Sequence, residues 1–391
     1  MDSAYRDILH RCFRCGWCKF PLNYTDFNCP AYLKYRFESF SSGGRMWLIR
    51  AWQEGDIPTS ERFGQILFSC VTCRNCVEAC ALPHIKDKLV DVFIEARAEM
   101  VDQGIIPPTV RDYFKAVSTS GNPYRIPSRD RGLWAEELDI PRYTDQEYLL
   151  YVGDEGAFDE LGQRMARSVA GLLMRTGVSF GILGAEEVSD GNDVHALGEK
   201  GLAALLAGQN IALMNRLGVK KVITLSPHAF NAMRNWYPGH GAAFGVYHYT
   251  QILQLFAGKL APAIDCGTTV TYHDPCYLGR WNGEYAAPRN ILRSVRGLRL
   301  VEMDRAMQNA LCCGGGGGNF FTDMLGTGPD LAARARIREA LATGADTLAV
   351  ACPQCYRMLA DAVKDEGAQE RIRVRELSDI VAEAVASGPR P

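Results

Sequence analysis

The sequence predicts an α+β protein: a helical N-terminal domain organised by paired cysteine motifs, followed by two duplicated copies of an α/β unit. Three observations predict it. Eight of the 14 cysteines fall within residues 1–115, among aromatic and charged segments that show no strand alternation. From Tyr148 onward, short apolar runs alternate with stretches of helical periodicity, the texture of a layered α/β domain. That alternation then recurs with a repeat of roughly 120 residues, which marks an internal duplication.

A chain of 391 residues, 47% of them hydrophobic, is long enough for two or three cores. Its formal net charge of −2 gives no basic excess, which argues against nucleic acid as a partner. No run approaches the ~20 apolar residues that cross a bilayer. Met1 to Arg11 lack the apolar core of a signal peptide. The expectation is a cytoplasmic protein that reaches a membrane only through a partner.

The expected domains are 1–115, a turn-rich linker at 116–145, a first α/β copy at 146–262 and a second at 263–391. Leu89 to Met100 reads as a helix of the first domain. Gly121, Pro123, Pro127, Gly132 and Pro141 punctuate the linker. In the first copy Tyr148–Val152, Phe180–Leu183 and Lys221–Leu225 read as strands, with helices at Leu161–Thr176 and Leu202–Leu217. In the second, Thr268–Tyr272, Leu298–Met303 and Thr347–Ala351 read as strands, with helices at Pro288–Val295 and Leu331–Thr343.

Thirteen cysteines form three sets. Cys12, Cys15 and Cys18 are followed by Cys29-Pro30, and Cys70, Cys73 and Cys76 by Cys80 and then Pro83. CxxCxxC with a fourth, distant cysteine is the ferredoxin-type signature for two [4Fe–4S] cubanes. Three thiolates on one turn reach three irons, and the fourth cysteine typically serves the other cluster. This assigns Cys12, Cys15, Cys18 and Cys80 to one cubane, and Cys70, Cys73, Cys76 and Cys29 to the other. Zinc sites usually use two CxxC pairs instead, and repeated CxxC spacing in a chain of this kind does not suit structural disulfides.

The third set is Cys276, Cys312, Cys313, Cys352 and Cys355. Gly314 to Gly318 follow the adjacent pair. Such a glycine run lets backbone pass close to a bulky inorganic group and offer its amides to sulfur. A flexible linker is the alternative, disfavoured because the run sits directly after a cysteine pair. The matching places of the first copy hold Asp154, Ser189, Asp190, Ser226 and Ala229. Cys276 to Cys312 and Cys313 to Cys352 are steps of 36 and 39 residues; Asp154 to Ser189 and Asp190 to Ser226 are steps of 35 and 36. The glycine at Gly191 and the proline at Pro227 survive.

His273-Asp274-Pro275-Cys276-Tyr277-Leu278-Gly279-Arg280, then Cys312-Cys313-Gly314, then Cys352-Pro353-Gln354-Cys355 resembles the cysteine-rich (CCG) domain of heterodisulfide reductases. With the double ferredoxin motif ahead of it, nearly the whole chain resembles the D subunit of that family, equivalent to a fused C and B pair. The resemblance implies a noncubane [4Fe–4S] cluster on the five cysteines. It also implies a flavin-containing partner like the A subunit of such complexes. The implied setting is an electron-bifurcating assembly, such as the complexes of class II benzoyl-CoA reduction. In heterodisulfide-cleaving members both copies carry a cluster. Here the first copy departs from that pattern, because oxygen ligands prefer harder ions than cluster iron. The resemblance therefore points to relaying electrons between two cubanes and the noncubane cluster. Two alternatives stand beside it: a disulfide-reducing catalyst at that cluster, and the iron–sulfur subunit of a membrane-linked glycolate, lactate or glycerol-phosphate dehydrogenase.

For the first copy two readings remain open. Asp154, Asp190 and His228 bind another metal, or the copy survives as a packing scaffold. Cys266 reads as a buried structural thiol. His248 lies between the copies, as a core histidine or near the cluster interface. His273 and Arg280 flank Cys276 and are placed to tune a cluster. His84 reads as a surface residue. No GxGxxG after a strand and no phosphate loop occurs, so nucleotide or flavin chemistry belongs to another subunit.

Overall fold

The computed structural model describes residues 3–23, 26–258, 260 and 267–386. Cys266 lies outside them. Among the described residues, eight strands form two four-stranded parallel sheets. The first contains β1 (Tyr148–Tyr151), β2 (Phe180–Gly181), β3 (Lys221–Thr224) and β4 (Gly245–His248), in the order β2-β1-β3-β4. The second contains β5 (Thr269–Tyr272), β6 (Arg299–Val301), β7 (Thr347–Val350) and β8 (Arg373–Glu376), in the order β6-β5-β7-β8. The two orders are the same, so the duplication extends to topology. Parallel neighbours need crossovers, and helices such as Glu160–Thr176, Lys200–Arg216 and Ala332–Ala342 supply them.

Register fixes the correspondence between copies. Leu150 pairs with Ile223, and Tyr272 pairs with Ala349. Superposing Ser226 on Cys352 brings Ile223 onto Ala349 and therefore Leu150 onto Tyr272. Asp154 then falls on Cys276, the match expected from spacing. The same register pairs Thr224 with His248 and Val350 with Glu376, so His248 and Glu376 are also matched.

Sequence texture missed β4 and β8. Each lies at a sheet edge, and half-exposed polar side chains such as Arg373 and Arg375 break the apolar run. The linker differs from expectation as well. The helix Pro108–Ser120 runs past residue 115, started by Pro108 at its first turn and stopped by left-handed Gly121. The 3-10 segment Ser128–Ala135 buries Arg131 and Trp134. The stretch is packed rather than loose.

One apolar core joins the copies: Leu150, Ile223, Tyr249 and Ile252 pack with Tyr272, Ala349, Leu377 and Ile380. The N-terminal helices rest on both. Phe68, Val92 and Phe93 share a core with Val194 and Leu197 of the first copy, while Val71 and Cys73 share one with Cys312 and Cys355 of the second. Among the described residues no helix is long and apolar enough to cross a membrane.

Candidate metal centres

The two CxxCxxC turns share one backbone form. Arg14 (φ 55°) and Gly16 (φ 84°) are left-handed in the first, and Thr72 (φ 48°) and Arg74 (φ 61°) occupy the same places in the second. Three of the four are not glycine, so each turn holds strain that an ordinary loop would relax. The fourth cysteines sit on helix ends: Cys29 caps Pro30–Tyr35 and Cys80 ends Asn75–Ala79. Cys80 lies beside Cys12 and Cys15, and Cys29 beside Cys70 and Cys73, so the motifs exchange their fourth members. One cavity is lined by Cys12, Cys15, Cys18 and Cys80, and another by Cys29, Cys70, Cys73 and Cys76 with Cys18 at its edge. Burial pushes the Cys18 thiol up to about 12 and the Cys29 thiol up to about 11. Thiolates at these positions need a compensating cation, which bound iron would supply.

All five cysteines of the third set are buried and close together. Cys312 Sγ is 3.7 Å from Cys276 Sγ, and Cys313 Sγ is 3.4 Å from Cys355 Sγ. Both distances far exceed a disulfide bond of about 2.05 Å, and all thirteen described cysteines are free. Two local features aim them. Gly314, left-handed at φ 90°, turns the chain so that its amide donates to Cys312 Sγ at 3.3 Å. Cys352 is the N-cap of Pro353–Asp365 and accepts from the Cys355 amide at 3.5 Å.

The surroundings fit an anionic iron–sulfur group. His273, Cys313 and Cys355 offer ligand atoms within 4.8 Å of one another. Arg336 donates to His273 Nδ1 at 3.2 Å, which leaves the proton on Nε2, facing Cys313. That Nε2 is buried with no oxygen or nitrogen partner. Arg280 is a buried cation beside Cys73, Cys276 and Cys312, and its Nη2 likewise has no partner. Unpaired buried donors around clustered thiols suit an assembly that brings its own sulfide acceptors. Both His273 and Arg280 stand out from the sequence alone. His84 is exposed, as expected.

The second CxxCxxC turn abuts the five-cysteine set. Cys73 and Cys312 are within hydrogen-bonding reach. Tyr277 bonds Thr72 Oγ1 at 2.7 Å, Trp281 Nε1 donates to the Thr72 carbonyl at 2.8 Å, and Arg280 Nε donates to the Cys73 carbonyl at 2.6 Å. The glycine run belongs to this junction. A Cβ on Gly316 would stand 2.8 Å from the Val71 carbonyl, and one on Gly317 (φ 60°) 2.9 Å from the Cys70 carbonyl. The run lets backbone meet backbone here while Gly314 offers its amide to sulfur, so it is packed rather than a flexible linker.

Among the described residues the first copy has no comparable cluster of ligand atoms. Asp154 pairs with buried Arg131, which also holds Glu187 at 3.2 Å. His228 Nδ1 is 3.1 Å from Asp193 Oδ1. Among the described residues the side chains of Asp154, Asp190 and His228 do not converge on one point as metal ligands would. Neither bare scaffold nor alternative metal site describes it, because His228 also hydrogen-bonds Cys352 in the other copy. Burial pushes the Cys352 thiol up, but Cys355 and His228 outweigh it and hold it below its ordinary value. Sequence reading also misses Arg97, fully buried, which donates to the Leu67 carbonyl at 2.8 Å and the Ala196 carbonyl at 2.7 Å. It ties the segment before the second CxxCxxC turn to the first copy. Nothing local in the sequence marks it, since its acceptors are distant backbone carbonyls. His248 is fully buried and faces the Leu225 and Ala351 carbonyls, one from each copy.

Comparison with known proteins adds to this geometry. Residues 8–82 match the 4Fe-4S dicluster domain and residues 270–360 the cysteine-rich domain. The chain is 30% identical to the D subunit of the dihydromethanophenazine:CoB–CoM heterodisulfide reductase of Methanosarcina barkeri, over 96% of this chain and 94% of that one. It is 35% identical to the probable iron-sulfur-binding oxidoreductase FadF of Bacillus subtilis over 85% of this chain and 48% of the relative. It is 30% identical to the EtfAB:quinone oxidoreductase of Syntrophomonas wolfei over 98% of this chain and 59% of the relative. The chain thus spans about half the length of these last two. A hypothetical protein from Helicobacter pylori shares the fold at 12% identity with a TM-score of 0.58, covering 100% of this chain and 74% of that one.

Proposed function

Because the chain belongs to the family of heterodisulfide reductase D subunits, an iron–sulfur family, we propose that it is the electron-transfer subunit of a multi-subunit oxidoreductase. Cys12, Cys15, Cys18 and Cys80 would hold an outer [4Fe–4S] cubane, and Cys29, Cys70, Cys73 and Cys76 an inner one. Cys276, Cys312, Cys313, Cys352 and Cys355 would hold a noncubane [4Fe–4S] cluster. When bound, these groups carry single electrons. The observation that carries the reading is the end-to-end arrangement of the thiols. Cys15 is exposed, Cys18 borders both cubane cavities, and Cys73 reaches Cys312.

Exposed Phe13 and Trp17 flank Cys15 and suit a partner that docks at the outer end. We take that partner to be flavin-containing, in a complex of the electron-bifurcating kind. The S. wolfei relative, whose name pairs EtfAB with quinone, is compatible with a flavoprotein on one side and a membrane acceptor beyond it. Heterodisulfide cleavage by this chain is disfavoured by the contents of the interface between copies. Gln354 Nε2 donates to Glu155 at 2.8 Å and Asp193 at 3.0 Å, and His228 packs on Tyr277 with ring centroids 4.3 Å apart. These side chains fill the interface between the copies beside the five cysteines.

The test is anaerobic isolation of the full chain with its native partners, followed by iron analysis and electron paramagnetic resonance. Roughly 12 iron atoms per chain, the sum of three four-iron clusters, are expected, with a noncubane signal distinct from the cubanes. A content near eight, or reoxidation of the reduced protein by a low-molecular-weight disulfide, defeats the proposal.

A further inference from the structure

One helix begins where the two four-cysteine cavities meet. The cavity lined by Cys12, Cys15, Cys18 and Cys80 and the cavity lined by Cys29, Cys70, Cys73 and Cys76 share two lining residues, Cys18 and Ser42. Cys18 is a thiol of the first set. Ser42 is the first residue of the helix Ser42–Glu54. It is 3% exposed, and among the described residues its Oγ has no oxygen or nitrogen partner. A buried hydroxyl left unpaired is uncommon and asks for an acceptor.

The start of this helix is fixed from both sides. Toward the first CxxCxxC turn, Ser41 Oγ donates to Glu38 Oε1 at 2.9 Å, and Glu38 Oε2 accepts from Lys19, next to Cys18, at 2.8 Å. Toward the second, buried Arg45 donates to the Ile66 carbonyl at 2.8 Å and to Ser69 Oγ, next to Cys70, at 2.7 Å. Two glycines let the turn sit this close. A Cβ on Gly44 would overlap the Glu38 carbonyl, and one on Gly43 would stand 3.7 Å from Cys18 Sγ. Ser41 caps the helix by accepting the Gly44 amide at 3.0 Å. The amides of Ser42 and Gly43 have no acceptor within the helix. The first turn carries no acidic residue. Such a helix start favours negative charge ahead of it. To this Ser42 adds an O–H that can turn about its Cβ–Oγ bond.

We propose that Ser42 is a positioning residue shared by the two cubane sites, its hydroxyl donating a hydrogen bond to sulfur in whichever site holds the electron. The hydroxyl has one proton and stands between two groups that offer only acceptors. It serves the more negative of the two, and no proton leaves the oxygen. A donor on sulfur withdraws electron density from the metal and favours the reduced state. Ser42 therefore supports reduction at either site. The inference rests on reading the eight cysteines as cubane ligands. Iron content and the spectrum of the unsubstituted chain test that reading, and the variants test the inference.

The experiment is a potentiometric titration of the full chain followed by electron paramagnetic resonance, with Ser42→Ala and Ser42→Thr variants and iron content measured for each. Ala removes the hydroxyl and leaves the helix start in place, whereas Thr keeps the hydroxyl. Ser42→Ala is expected to retain its iron and to lower the reduced-to-oxidised ratio of both cubane centres about threefold at fixed potential, about 28 mV at 59 mV per tenfold for a one-electron couple. The noncubane couple should not move. Ser42→Thr should leave both cubane couples where the intact chain has them. A shift confined to one cubane centre overturns the proposal, because the donor is then not shared. Unchanged couples in Ser42→Ala, or a common shift of all three centres, overturn it as well. So does an equal shift in both variants, since the hydroxyl is then not the cause. Loss of iron from Ser42→Ala also overturns it, since the residue would then be structural.

Discussion

The two α/β copies share strand order, register and turn geometry, and differ in what their loops carry into the interior. Gly191 and Gly314 are both left-handed, at φ 74° and 90°. Ser226 and Cys352 are both N-caps followed by proline, each accepting a backbone amide. The features that shape backbone are retained on both sides. The thiols are retained on one. Replacing them left the first copy with buried polar groups, and a buried charge without a partner is costly. The structure answers with partners: Arg131 for Asp154 and Glu187, and His228 for Asp193. Where the second copy carries thiols, the first carries an internal salt-bridge network that reaches towards them.

The comparison is broken most strongly at matched cysteine and non-cysteine positions. Cys352→Ser keeps an N-cap oxygen but removes a ligand. Ser226→Ala removes a cap and no ligand. Cys352→Ser is expected to reduce iron from roughly 12 to roughly eight per chain, with loss of the noncubane signal. Ser226→Ala should leave iron unchanged and lower stability by about 1 kcal/mol. Iron analysis and denaturant unfolding check both. Equal iron in the two variants would mean that the matched positions are not functionally distinct.

Removing Arg131 tests the salt-bridge network. Arg131→Ala leaves Asp154 and Glu187 buried without their cation, and stability should fall by about 3–5 kcal/mol. Burial already pushes the Glu187 carboxyl up to about 7 against the pull of Arg131. The companion Asp154→Asn, which keeps the arginine and one carboxylate, should lose less. Unfolding in denaturant, compared with the intact chain at the same iron content, gives the difference.

Much of this contrast is legible in sequence, and the limit is distance along the chain. Cysteine spacing identifies all thirteen clustered thiols, and the surviving glycine and proline align the copies without any strand being seen. Edge strands escape because Gly245–His248 and Arg373–Glu376 mix exposed and buried faces over four residues. Contacts such as Tyr277 to Thr72, Gln354 to Glu155 and His228 to Cys352 join residues more than a hundred positions apart. No local pattern encodes them. Buried arginines are equally opaque: Arg45 donates to the Ile66 carbonyl at 2.8 Å and the Phe40 carbonyl at 2.7 Å, and its helix looks ordinary in sequence.

The glycine run sharpens the comparison at the junction. Gly191 has no following glycines, whereas Gly314 begins five, and the extra ones meet the inner cubane loop. Gly317→Ala places a Cβ against the Cys70 carbonyl in a left-handed conformation. It should cost about 1–3 kcal/mol and slow electron exchange between the inner cubane and the noncubane site, leaving the outer cubane untouched. Rapid-freeze reduction kinetics separate the three. Gly283→Ala, also left-handed but in open space, is the control for backbone strain alone.

A pH-dependent effect comes from His248 and Glu376, which occupy matched positions and are buried. Burial holds the His248 imidazole down at about 3, below its ordinary 6.5. Its contribution to stability is complete above pH 6.5 and is lost as pH falls towards 3. Burial pushes the Glu376 carboxyl up to about 8 from 4.5, against hydrogen bonds from Ser378 and Tyr249. Its contribution is complete below pH 4.5 and is lost as pH rises through 8. The two positions therefore tilt stability in opposite directions, each by at most about 1.4 kcal/mol per pH unit. His248→Gln should flatten the acid side of the stability profile, and Glu376→Gln the neutral to basic side. Comparing each variant with the intact chain at each pH cancels the common contribution of the metal centres. If both variants flatten the same side, matched register has not produced opposite charge behaviour, and the equivalence drawn between the two strand ends fails electrostatically.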